Sequence, residues 1–120
     1  MMQVELKGVL ADYHRAVNAH NTDAIMATFA KDAYVNDNKR EITGREAIRR
    51  WVEKEVVGDR LTIEVREVLD HHGDPIVRGA YEGNYDKTNL PNELILTSYF
   101  SLRASRIVSL VIVFNQPSPF

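Results

Sequence analysis

Between Leu6 and Val17 the apolar positions recur every three to four residues, at Leu6, Val9, Leu10, Tyr13, Ala16 and Val17, with Glu5, Lys7, Asp12, His14 and Arg15 on the other side. That spacing predicts an amphipathic helix with one buried face, which puts the Tyr13 ring inside and His14 in solvent. Asn18-Ala19-His20-Asn21-Thr22-Asp23 interrupts the stripe with turn and capping residues. A second, short helix follows, with Ala24, Ile25, Thr28 and Phe29 as its apolar side and Lys31-Asp32 as its end. Residues 33–37 then alternate as a strand, so the side that buries Ala33 and Val35 also receives Asp37. Thr43-Gly44-Arg45-Glu46 has the T-x-x-E spacing of a capping box, and Ala47, Ile48, Trp51, Val52 and Val56 give the stripe of a third helix that stops at Gly58.

From Leu61 onward the period is two. Leu61, Ile63 and Val65 alternate with Thr62, Glu64 and Arg66, Gly73-Asp74-Pro75 supplies a turn, and 76–85 reads as the returning strand. Gly79 and Gly83 inside that run predict a bend or a bulge. Residues 86–92 are the longest loop signal. Leu94 to Arg103 and Arg106 to Phe114, separated only by Ala104-Ser105, predict an antiparallel hairpin. On the first of these strands Leu94, Leu96, Ser98, Phe100 and Leu102 share a face, and Ser98 is its one polar break. The second is apolar on both faces, which requires cover on both sides. Helices cover one, and the other face predicts a homodimer packed through the sheet. Residues 115–120, with two prolines, read as a tail folded across a rim. The whole pattern is α+β: three N-terminal helices gathered on one face of a strongly bent, mainly antiparallel sheet that closes into a cone with an interior.

Composition narrows the function. With 120 residues and 44% hydrophobic content, the chain has enough for one domain, 1–120, with a core that needs no metal or disulfide. Fifteen basic and seventeen acidic residues give a formal charge of −2, which leaves no broad basic surface for nucleic acid. The absence of cysteine removes disulfides, thiol nucleophiles and thiolate metal sites. No signal-peptide core and no run near the roughly 18 apolar residues of a membrane span are present, so the expectation is a soluble, cytoplasmic protein without a membrane partner. Dinucleotide, phosphate-loop and G-x-S-x-G motifs are missing, which implies a cofactor-free site. His71-His72 beside Asp70 point to opposite sides of a strand end and are poorly placed for one ion, so no metal site is expected.

Two side chains remain as candidate chemistry. Asp37 is a carboxylate aimed toward a core, or a turn residue capping its own backbone within Asn36-Asp37-Asn38. Tyr13 is a polar hydroxyl on a buried face, or a core tyrosine. Phe29, Trp51 and Phe100 read as lining or underlying a cavity, or as plain core, and Ser98 as a pocket donor or a small strand residue.

The run Tyr13-His-Arg-Ala-Val-Asn-Ala-His-Asn-Thr-Asp-Ala-Ile-Met-Ala-Thr-Phe-Ala-Lys-Asp-Ala, then Val35-Asn-Asp, then Gly44-Arg-Glu-Ala-Ile, resembles the SnoaL-like and ketosteroid-isomerase-like branches of the nuclear transport factor two superfamily. The resemblance implies the cone-shaped fold of that superfamily. It puts Tyr13 where the ketosteroid isomerases keep an oxyanion-hole tyrosine and Asp37 where they keep a general base. Ser98 falls where they keep a protonated aspartate, and a serine there departs from the pattern. The implied protein is a cofactor-free proton-transfer enzyme, isomerase- or cyclase-like, acting on a small apolar carbonyl compound, with Asp37 and Tyr13 catalytic and Ser98, Trp51, Phe29 and Phe100 binding substrate. The alternative is a ligand-binding or dimerisation module of the same fold without turnover.

Overall fold

The computed structural model describes residues 2–114. Its elements are β1 (Met2–Gln3), α1 (Gly8–Asn18), α2 (Thr22–Ala27), β2 (Phe29–Asp37), β3 (Arg40–Thr43), α3 (Arg45–Trp51), a π-helical turn (Val52–Val57), β4 (Thr62–His71), β5 (Asp74–Glu82), β6 (Leu94–Arg103) and β7 (Arg106–Phe114). The strands form one seven-stranded sheet in the order β1-β4-β5-β6-β7-β2-β3. Every pairing is antiparallel except that of β2 with β7, which is parallel, so the sheet is mixed and mainly antiparallel. The three helices pack on it in the expected α+β arrangement. The expected tail, 115–120, lies outside the described residues.

The period-3.6 stripes become the contacts between helices and sheet. Val17 of α1, Ile25 of α2, Ile48 of α3 and Val52 of the π-helical turn are fully buried, and they meet Val35, Ile107 and Leu110 of the sheet in one core. The period-two pattern of β4 survives with one residue inserted. Pairing to β5 slips between Val65 and Glu67, leaving Arg66 as a bulge opposite Gly79 and Arg78. A bulge bends its strand and sharpens the local twist, which is how this sheet acquires an inside. Gly79 is required there by contact rather than by dihedral freedom, since a Cβ on it would lie 2.7 Å from Ile63 Cγ2.

Four local readings are corrected. Phe29 opens β2 instead of closing the second helix. The Thr28 hydroxyl donates to the Ile25 carbonyl at 2.6 Å to finish α2, and the Thr28 carbonyl then accepts from Ile107 N at 2.8 Å, drawing the chain onto β7. The capping box does not form, because Thr43 is the last residue of β3, paired with Tyr34, and Gly44 takes the N-cap position at φ +88° without a side-chain bond. His14 is buried, 4% exposed, with Nδ1–H donating to the Leu10 carbonyl at 2.8 Å. The strand expected over 76–85 ends at Glu82, so Gly83 lies beyond it. The short β3 and the two-residue β1 went unread. The β2–β3 turn is Asn38-Lys39, with both residues at positive φ, a hairpin geometry without the usual glycine.

Candidate active site

A cavity of about 140 Å³ opens at the end of the cone where β2, α3, the π-helical turn and β5 converge. Its walls are mostly apolar, from Trp51, Val56, Leu61, Leu94, Leu96 and Ile112, and its polar groups are the side-chain-bearing residues Tyr13, Asp37, Glu55, Asp59, Tyr81 and Tyr85. Asp37 and Tyr13 therefore reach the same space from opposite ends of the first half of the chain. Asp37 arrives there as the last residue of β2, on the same side of the strand as buried Ala33 and Val35. Tyr13 arrives from the inner stripe of α1 and is 3% exposed.

The Asp37 carboxylate is held unequally at its two oxygens. Oδ2 accepts from the Trp51 indole N–H at 3.1 Å and from Arg40 Nη2 at 2.5 Å, whereas among the described residues Oδ1 accepts only from Asn38 Nδ2 at 3.3 Å. Lone pairs on Oδ1 are thus left for the cavity. The same Arg40 guanidinium forks onto Glu55, Nη2 to Oε1 at 2.6 Å and Nη1 to Oε2 at 2.9 Å. Those bonds hold Arg40 firmly protonated, Glu55 contributing more than Asp37, and they hold the Glu55 carboxyl below its usual range. Trp51 and Glu55 sit four residues apart across the junction of α3 with the π-helical turn, so one helical face supplies both the indole and the counter-charge for Arg40.

Tyr13 is held by rings. Phe29 and Phe100 meet it edge-on at 5.9 and 5.7 Å between centroids, and His14 does so at 5.1 Å. Among the described residues its hydroxyl has no hydrogen-bond partner. Because no fully buried side-chain oxygen or nitrogen there goes unbonded, that hydroxyl opens to the cavity. Burial, then the charges of Tyr81 and Asp37, push its pKa well above the ordinary phenol value. Tyr81 behaves alike: burial, with Asp37 adding to it and the Ser98 hydrogen bond opposing it, pushes the phenol up to about 12. Both tyrosines are therefore neutral donors at any physiological pH.

Of the residues singled out in the sequence, Asp37, Tyr13 and Trp51 meet at the cavity. Phe29 and Phe100 lie behind Tyr13, and Ser98, 3% exposed, lies behind Tyr81, whose hydroxyl is 3.4 Å from Ser98 Oγ. Tyr81, Glu55, Asp59 and Tyr85 were missed. The signals for two of them were present: Tyr81 shares a strand face with Gly79, two residues before it, and Glu55 follows Trp51 at helical spacing. Among the described residues no group of three or more His, Cys, Asp or Glu is placed to share a metal ion, and no helix is long and apolar enough to cross a membrane.

Residues 10–110 match the family model of the SnoaL-like domain, and the chain belongs to that family. Among solved structures it is similar to a candidate polyketide cyclase from Sinorhizobium meliloti, at 28% identity and TM-score 0.77 over 87% of this chain and 92% of that one. It is also similar to SalBIII, an epoxide hydrolase/cyclase-like enzyme of pyran ring formation in the polyether salinomycin, at 26% identity and TM-score 0.78 over 89% and 88%. A protein with a ketosteroid isomerase-like fold from Catenulispora acidiphila shares the fold at 17% identity and TM-score 0.74, over 89% of this chain and 85% of that one. No protein of curated function matches the sequence.

Proposed function

We propose that the cavity is the active site of a cofactor-free proton-transfer enzyme, isomerase- or cyclase-like, acting on a small apolar carbonyl compound. The observation that carries this reading is a carboxylate, Asp37, whose Oδ1 is held among the described residues by one long bond, 3.3 Å from Asn38 Nδ2, and a phenol, Tyr13, with no partner among them, facing one mostly apolar cavity. Asp37 Oδ1 takes a proton from the carbon next to the carbonyl. The electrons of the broken C–H bond form the enolate C=C bond, and charge collects on the carbonyl oxygen, where the Tyr13 hydroxyl donates to it. In an isomerisation Asp37 returns the proton to a different carbon. In a cyclisation the enolate carbon bonds to a second carbonyl carbon of the same molecule, the π electrons of that C=O bond move to its oxygen, and the oxygen takes the proton from Asp37. The relationship to the candidate cyclase and to SalBIII supports a reaction of this kind.

Size limits the substrate. About 140 Å³ compares with the roughly 150 Å³ cavity that holds a benzene molecule, so one six-membered ring or its open-chain equivalent fills the space, and any larger part of the molecule projects through the mouth. The test follows from that. Conversion of cyclohex-3-en-1-one to cyclohex-2-en-1-one, followed by the ultraviolet absorbance of the conjugated product, is expected with the wild-type chain. A loss on the order of 10²- to 10⁴-fold is expected in Asp37→Asn, and one of about 10²-fold in Tyr13→Phe. Turnover by Asp37→Asn at the parent rate rejects the mechanism. Binding of cyclohexenone without turnover by any form of the protein identifies a ligand-binding module instead.

The outer face of β6 and β7 carries a second part of the proposal, a homodimer packed through the sheet. Tyr99 and Val113 are 47% and 44% exposed on that face, beside half-buried Val111, which pairs with Tyr99.

A further inference from the structure

Stabilising an enolate with one phenol leaves the developing charge with a single donor, and the position where the resemblance calls for a second acid holds Ser98. Ser98 does not reach the cavity. It is 3% exposed and faces inward from β6, paired with Val77 of β5. What reaches the cavity from this part of the sheet is Tyr81, whose hydroxyl ends 3.4 Å from Ser98 Oγ. Tyr81 pairs with Leu94, four positions along both strands from the Val77–Ser98 pair, so its ring must lie along the strand direction to make that contact.

We propose that Tyr81 is the second oxyanion donor of this site and that Ser98 is its positioning residue. The inference rests on the reading of Asp37 as base and Tyr13 as first donor.

Three features of the site support it. A hydroxyl has one donor and two acceptor sites, so a Ser98 O–H donating to Tyr81 Oη leaves the Tyr81 proton free to point into the cavity. Tyr81, Tyr13 and Asp37 line the same cavity of about 140 Å³, which places both phenols and the base around one small volume. The backbone of Tyr81 is fixed as well, since its carbonyl accepts from the Tyr85 hydroxyl at 3.0 Å and the strand pairs on both sides, with Ile63 and Leu94. A donor held before the reaction needs no reorganisation when charge develops, which is what gives such groups their effect. Two phenols in the cavity with a serine behind one of them thus replace the phenol and carboxylic acid that the resemblance implies.

The experiment reads binding, not turnover. 4-Nitrophenolate is a single ring with a charged oxygen, sized for the cavity, and serves as a stable stand-in for the enolate. Asp37→Asn is the background, because a neutral side chain there mimics the base after it has taken the proton and removes its repulsion of an anion. In mildly alkaline buffer the probe is ionised while both tyrosines remain neutral donors. The absorbance shift of the probe gives Kd, and a thermal melt checks that each variant is folded. Tyr13→Phe and Tyr81→Phe, which keep their rings, are each expected to weaken binding about tenfold or more, as the loss of a charge-assisted hydrogen bond. Ser98→Ala is expected to weaken it less, and to have no further effect when added to Tyr81→Phe, because it acts through that hydroxyl.

Loss of affinity in Tyr13→Phe with none in Tyr81→Phe overturns the role of Tyr81 and leaves the first donor standing. No binding to the Asp37→Asn background, or binding by both Phe variants as tight as that of the background itself, overturns the underlying reading as well. An undiminished effect of Ser98→Ala on top of Tyr81→Phe overturns the positioning role.

Discussion

Burial of Tyr13 and His14 and partial burial of Tyr81 tie the site to stability through protons. The two phenols have folded pKa values raised above the ordinary 10, so the folded chain keeps protons that the unfolded chain releases. Their contribution is complete below pH 10 and is lost as pH rises above it. Urea unfolding midpoints are expected to fall on the alkaline side of 10, and to fall less steeply in Tyr13→Phe and Tyr81→Phe. His14 has the opposite sign of shift. Burial lowers its pKa from 6.5, with only the Leu10 hydrogen bond opposing, so the unfolded chain takes up a proton first. Stability is present above pH 6.5 and is lost as pH falls through the lowered folded value. A series of urea midpoints against pH is expected to show that slope in the parent and a flatter one in His14→Gln. An unchanged slope in His14→Gln would assign the acid limb to other groups.

At the scale of elements, the site depends on two irregularities. The π-helical turn extends α3 so that Trp51, Glu55 and Val56 all reach the cavity, and the bulge at Arg66 bends β4 over Gly79. Gly79 is where the bend is most crowded. Gly79→Ala brings a Cβ to 2.7 Å from Ile63 Cγ2 and 3.2 Å from the Glu64 carbonyl oxygen. A destabilisation of about 1–3 kcal/mol is expected from such overpacking, measured by chemical denaturation. Gly73→Ala, at φ +90° with no atom within 4 Å, tests strain without crowding and provides the comparison.

For the whole molecule, the open question at the sheet is what covers Tyr99 and Val113. Light scattering at micromolar concentration is expected to give the mass of two chains, and Tyr99→Glu combined with Val113→Glu the mass of one, because a charge pair on each copy would be desolvated against its twin. A single-chain mass for the parent protein ends the dimer proposal. The same face explains the double apolar pattern of β7. Ile107, Leu110 and Ile112 are buried under the helices, while Val111 and Val113 turn outward.

What the sequence determined is what repeats along it. Helix stripes, strand alternation and the Leu94 to Phe114 hairpin are local periodicities, and they were sufficient for the α+β class and for bringing Asp37 to the inner side of its strand. A slip of one residue would have reversed that side, which is why a buried strand specifies it so strongly. Tertiary structure decided what local patterns do not encode. Thr43 lost its capping role to pairing with Tyr34, and Phe29 joined a strand because β7 offered a partner. His14 was buried because the rings of Tyr13 and Phe100 pack against its own. Tyr81 replaced Ser98 at the cavity because a side chain lying along a bent strand reaches a place that its own position in the register does not reveal. Arg40 and Trp51 likewise meet at Asp37, and Glu55 at Arg40, only after β3, α3 and the π-helical turn have been brought together, since hydrogen bonds between elements depend on distances that only the packed chain sets.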